Sequence, residues 1–221
     1  MHQNKRTDPA VGQLATLLIL ILSAVFTHGV ASAQETPDQE TPDQATIEAL
    51  MAKSLELAQP GPEHARFERM AGTWDMEMTM WSQPGAEAVV VSGVVEAELI
   101  LGGRYLVQTT VIPDGFFAGE SITILGFDRR SEEYTLIGLD TVGTYWVSAQ
   151  GPATSGTEAV LSGEDFDPVF GHLQEYDFVL RWEEDGAFVS QIIFKDAAHT
   201  GGGEPFKMIE IVSRPRQASG E

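Results

Sequence analysis

Residues 66–81 read Arg66-Phe67-Glu68-Arg69-Met70-Ala71-Gly72-Thr73-Trp74-Asp75-Met76-Glu77-Met78-Thr79-Met80-Trp81. Two periodicities meet inside this stretch. Before Gly72, Phe67 and Met70 stand three apart, the spacing of one helix face. From Thr73 the period is two: Trp74, Met76, Met78 and Met80 share one face, and Asp75, Glu77 and Thr79 share the other. That is the pattern of a half-buried strand. Glycine at the switch suits the left-handed backbone that ends many helices. A Gly-x-Trp step from helix into amphipathic strand predicts a wall with a polar outside and an apolar inside, and so an architecture with an interior.

Downstream the period-two pattern repeats. Candidate strands are 73–82, 88–100, 103–112, 120–128, 133–141, 144–150, 157–163, 172–183, 187–195 and 204–214. Turn material such as Pro84-Gly85, Gly102-Gly103, Pro113-Asp114-Gly115 and Glu184-Asp185-Gly186 separates them. No helical period interrupts the series, which argues against parallel βαβ units. About ten antiparallel strands joined by short loops predict an all-β fold that curls and closes, because closure removes exposed edges. Phe178, Leu180 and Trp182 share a face, as do Phe188, Ser190, Ile192 and Phe194. Several strands are apolar on both faces, and their register stays open at this level.

Upstream, Ile47, Leu50, Met51, Leu55 and Ala58 predict a helix over 46–58, which Pro60-Gly61-Pro62 breaks. A second short helix runs from Glu63 to Met70. Residues 46–71 are expected to cap a barrel spanning 72–216, with 217–221 a tail. Residues 34–45 hold the Glu-Thr-Pro-Asp-Gln repeat at 35–39 and 40–44, a polar composition that predicts a disordered linker.

Residues 1–33 carry a basic start (Lys5, Arg6), an apolar core from Val11 to Phe26 and a small-residue cleavage site, Ala31-Ser32-Ala33. This is the pattern of a secretory signal peptide. The core is short of the roughly 20 residues that a bilayer span needs. The expectation is an exported protein, periplasmic or extracellular, with no stable membrane insertion after cleavage.

Cysteine is absent, which excludes disulfides, thiolate metal sites and thiol nucleophiles. Thirteen basic residues face 33 acidic ones, a net charge of −20. Such a surface repels nucleic acid and anionic lipid.

Taken in order, His64, Phe67, Met70, Ala71-Gly72-Thr73-Trp74, Leu101-Gly102-Gly103-Arg104-Tyr105-Leu106, Gly126-Phe127-Asp128, Leu139-Asp140, Lys207-Met208 and Ser213-Arg214 resemble the bacterial "domain of unknown function 1579" family (DUF1579). The resemblance covers about residues 60–216. It implies a calycin-like barrel of lipocalin or fatty-acid-binding kind, common among exported proteins, and no established reaction. The family often has Trp-x-Asp where this chain has Gly138-Leu139-Asp140, so a pocket role for that ring does not carry over. In calycin barrels the Gly-x-Trp tryptophan packs on a basic side chain from the last strand. The resemblance thereby implies barrel closure by Trp74 and Arg214.

Chemistry-bearing motifs are sparse. No nucleophile elbow occurs, and no histidine pair has metal-ligand spacing, so no metal is expected. No cofactor is expected either. A haem alternative, by analogy with ten-stranded haem-binding barrels, would have to use His172 or His199. Polar residues among apolar strands are the better ligand-binding signals: Arg104, Gln108, Tyr134, Asp140, Tyr145 and Tyr176, beside the adaptable Met76, Met78 and Met80. Arg104 and Asp140 could instead pair with each other. The expected role is binding a small, largely apolar ligand inside the barrel, with Arg104 or a tyrosine at its polar head. The alternatives are a barrel enzyme of isomerase or lyase type using Tyr, Arg and Asp, and a module filled by its own side chains. The missing catalytic motifs weigh against the enzyme. No feature of the sequence sets an oligomeric state.

Overall fold

The structure, a computed structural model, describes residues 43–115, 117–153, 156–168, 171–196 and 200–216. The expected signal peptide, most of the linker, the tail and His199 lie outside the described residues. Two helices come first, α1 (Gln44–Leu57) and α2 (His64–Glu68). Ten strands follow: β1 (Gly72–Met80), β2 (Val89–Ile100), β3 (Tyr105–Ile112), β4 (Gly119–Asp128), β5 (Glu133–Asp140), β6 (Trp146–Pro152), β7 (Glu158–Asp167), β8 (His172–Trp182), β9 (Phe188–Phe194) and β10 (Phe206–Pro215). Each pairs antiparallel with the next, and β1 pairs with β10, so the sheet closes into a ten-stranded barrel. The all-β barrel expected from the alternation is the fold.

Helix α2 ends at Glu68, short of the Gly72 expected to stop it; Gly72 is instead the first residue of β1, with φ 126°. Only glycine adopts that backbone without strain. Along β1, Trp74, Met76 and Met80 are buried while Asp75 and Glu77 are exposed, as the period of two requires. Strand β7 runs to Asp167, four residues past its expected end. Its acidic tail pairs in register with β8 from Glu164–Glu175 to Asp167–His172.

The strands alternate in direction, so each barrel end collects a fixed set of turns. One end carries the β2–β3, β4–β5 and β8–β9 turns and receives helix α2. There Phe67 and Met70, both almost fully buried, join Trp74, Leu106, Leu125, Tyr134, Leu161 and Trp182 in the main core. The Trp74 indole N–H donates to the Met70 carbonyl at 2.9 Å, and its ring meets Phe188 at 4.9 Å. This end is sealed by side chains.

Helix α1 has no buried residue. Ile47, Leu50, Met51 and Leu55 stay 40 to 59% exposed. Two arginines from the barrel rim hold its C-terminal end. Arg129 donates to the Glu56 and Gln59 carbonyls, and Arg104 to the Ala58 carbonyl at 3.0 Å. Cations at a helix C-terminus meet the negative end of its dipole. Among the described residues no helix is long and apolar enough to cross a membrane.

Candidate functional site: a cavity inside the barrel

Above the sealed end the barrel is hollow. A cavity of about 310 Å3 lies inside it, lined largely by apolar side chains, among them Met76, Met78, Leu136, Phe178 and Phe188. Met76, Leu136 and Phe188 also belong to the core and form the cavity floor. The cavity extends toward the opposite end, where Ile112 and Asp140 close their strands and Gln174 lies near the start of β8.

Nine polar side chains stand among the lining residues. Gln108, Thr110, Ser121, Thr123, Ser190 and Ser213 line the wall, with Asp140, Gln174 and Tyr176. The inward position of each follows from strand parity. Gln108 is one step beyond the fully buried Leu106 on the same face of β3. Ser213 stands in register opposite Met76 on one side and Phe188 on the other. Both are buried, and neither the Gln108 Nε2 nor the Ser213 Oγ finds a partner among the described residues.

Tyr176 crosses over Gly163 of β7, and its hydroxyl donates to the Ser148 carbonyl of β6 at 3.0 Å. A Cβ at Gly163 would stand 2.7 Å from the Tyr176 ring and 2.4 Å from that carbonyl oxygen. Burial pushes the Tyr176 phenol above its usual range, and the nearby Asp165 charge adds to the effect.

The structure brings Met76, Met78, Gln108, Asp140 and Tyr176 together on one cavity, five of the nine residues singled out for a ligand. Met80 is buried opposite Ile209 but does not line it. Tyr134 faces inward at the wrong height. It lies in the sealed layer, edge-on to Phe67 and under the Arg66 guanidinium, and burial pushes its phenol up. Tyr145 sits in the β5–β6 turn, 60% exposed, with its ring against Gly143.

Arg104 requires a correction. It lies at the sealed end, outside the cavity, and is committed to the Ala58 and Leu101 carbonyls. It cannot reach Asp140 at the far rim, where that carboxylate accepts the Val142 and Gly143 N–H groups. The Trp74–Arg214 stack is corrected too. Trp74 points inward, whereas Arg214 is exposed and stands opposite the outward-facing Asp75. Arg66 of α2 supplies the cation at this end, 5.1 Å from the centre of the Trp182 ring. A neighbour of Arg214 ties the end of β10 to β1: Arg216 donates to the Asp75 carboxylate at 2.8 Å.

Among the described residues no cluster of His, Asp and Glu could hold a metal ion. His172 does not line the cavity, and its Nε2 lies 3.4 Å from the Asp196 carboxylate. A wider depression of about 590 Å3 sits at the sealed end beside α1, with Arg104, Arg129, Arg130 and His64 in its wall. Its arginines are engaged with helix carbonyls or with Asp128, so it reads as the joint that seats α1.

Sequence reasoning missed Thr110, Thr123, Ser190 and Ser213. The available signal was a small hydroxyl at an inward position, as at Ser190 between Phe188 and Ile192.

The family model described as "Protein of unknown function (DUF1579)" matches residues 59–214. No curated protein matches the chain. Among solved structures the chain is similar to "Crystal Structure of Rv2717c from M. tuberculosis", with 13% sequence identity and a TM-score of 0.48, over 72% of this chain and 100% of that one.

Proposed function

We propose that this chain, which belongs to the DUF1579 family, binds a small, largely apolar molecule inside its barrel. The observation that carries the proposal is the cavity. At about 310 Å3 it falls at the lower edge of the range typical of small-molecule sites, and it combines apolar walls with inward polar groups. Its volume equals that of about ten waters. Asp140 and Tyr176 are the titratable side chains among its described lining, and Tyr176 is occupied by a backbone carbonyl. That pattern favours binding over acid–base chemistry.

The test is titration with a neutral, environment-sensitive dye such as Nile red. Wild type should bind saturably at one dye per chain. Ile192→Trp, which fills the cavity, should lower affinity at least tenfold while keeping a cooperative melt. The barrel's outer wall also carries exposed apolar side chains, Ile122, Ile137 and Trp146. Ile122→Ser should therefore bind like wild type. Equal binding by Ile192→Trp, or binding lost in Ile122→Ser, would move the dye to the outer wall and end the proposal.

Export belongs to the same proposal and rests on the Lys5-Arg6 start, the apolar core and Ala31-Ser32-Ala33. The chain recovered from its own host should begin at Gln34. An intact Met1 would remove that part.

A further inference from the structure

The cavity's inner end holds two buried hydrogen-bonding groups with no partner among the described residues, the Gln108 Nε2 and the Ser213 Oγ. Leaving such a group unmet disfavours the fold, which is why buried polar atoms are nearly always bonded. Ser213 stands in register between Met76 and Phe188, and Gln108 between Ala97 and Thr123. Both can donate a proton to an oxygen. No Lys, Arg or His stands among the described lining residues, and the one carboxylate, Asp140, is at the rim. A charged head carried inside would lose its hydration and meet no counter-charge. An anion would also pass Asp140 on a chain of net charge −20.

Resting on the barrel-binding proposal, we infer that the ligand is an apolar molecule with a neutral oxygen-bearing head, an alcohol, ketone, ester or amide rather than a carboxylate, seated against Gln108 and Ser213. The inference departs from what an arginine at the head would give. The arginine that the sequence offered for that role, Arg104, is spent on the Ala58 carbonyl outside the barrel.

The experiment is displacement of Nile red by compounds that share a chain and differ in the head: octane, octanol, octanamide and octanoate. At neutral pH octanol and octanamide should bind at least about tenfold tighter than octanoate, a difference near 1.4 kcal/mol. They should also bind several-fold tighter than octane, the worth of one net hydrogen bond. As pH falls through the carboxylate range octanoate should gain affinity, because its protonated form is a neutral head, while octanol serves as control for any effect of pH on the protein itself. Gln108→Leu and Ser213→Ala should each narrow the octanol-to-octane ratio. Octanoate binding as tightly as octanol at neutral pH, or octane matching octanol, would overturn the inference and leave the barrel-binding proposal standing. If no compound, octane included, displaces the dye, the barrel-binding proposal itself fails. Should a variant not fold, the pH series on the unaltered chain still decides.

Discussion

His64 shows how one side chain couples the two helices to the barrel. It is buried in the sealed end, its ring edge-on to Phe67 and Phe127, and its Nδ1 accepts the Gly61 N–H at 3.0 Å. Burial lowers its pKa from the ordinary 6.5; Glu63 opposes the shift, and Arg129 and Arg104 add to it. The neutral ring is thus the one the folded chain prefers. A depressed pKa contributes stability that is fully present above the unfolded value and is lost as pH falls from 6.5 toward the lower folded value. Wild type should therefore lose melting temperature between pH about 7.5 and about 5.5, and His64→Asn, which keeps an acceptor near Gly61, should lose less. Identical slopes for the two chains would show that His64 does not set the dependence. The residue scale is also where the sequence was least legible. Period two assigns a side chain to the inside or the outside but not to a height along the barrel. Tyr134 and Tyr176 both alternate inward, yet one is sealed beneath α2 and the other lines the cavity. Arg104 follows a tight turn, so alternation could not show that it reaches back to a helix end.

Between elements, the seams of the barrel are uneven. Strands β7 and β8 pair along their full length, from Glu158–Arg181 to Asp167–His172. On the other side of β7 the register pairs with β6 are Ala149–Gly163 and Gln150–Ser162. The Tyr176 hydroxyl on the Ser148 carbonyl bridges this weaker seam from β8, and it can do so because Gly163 has no side chain in its path. Tyr176→Phe should lower stability by about 1 kcal/mol, the net worth of one hydrogen bond. Gly163→Ala should lower it further, because the new methyl meets both the carbonyl oxygen and the ring. Amide exchange in 146–150 and 162–166 should accelerate in both variants, with the β1–β2 seam unchanged. A uniform acceleration around the barrel, or none, would show that the tyrosine is not a seam staple. Strands themselves were legible in the sequence because each is a short alternating run bounded by turn residues, and all ten are present. Strand ends were less so. Glu164 to Asp167 look like turn material, and only the partner strand β8 makes them β-structure.

For the whole molecule the dominant electrostatic fact is the excess of acid, 33 acidic residues against 13 basic ones. Two effects compete when salt is added. Screening weakens the ion pairs, such as Arg181–Glu183, Lys195–Asp177 and Lys207–Glu210. These are partly exposed pairs, each worth roughly 0 to 1 kcal/mol. Screening also weakens repulsion among the many acids that have no cation to pair with, and the Debye length falls from about 10 Å at 0.1 M to about 3 Å at 1 M. Thirteen cations cannot neutralise 33 anions, so most acidic side chains feel net repulsion in the compact state and less of it in the expanded chain. The melting temperature should therefore rise between about 0.01 M and about 0.5 M sodium chloride, with most of the gain at the low end, where the Debye length still spans neighbouring carboxylates. Sodium chloride is the salt to use, because sulfate also strengthens apolar burial and would blur the cause. Choline chloride should give the same curve if screening alone is at work. A fall in melting temperature with either salt would mean that the rim pairs, Arg216 with Asp75 among them, outweigh the repulsion. In that case Arg216→Ala should reduce the decline.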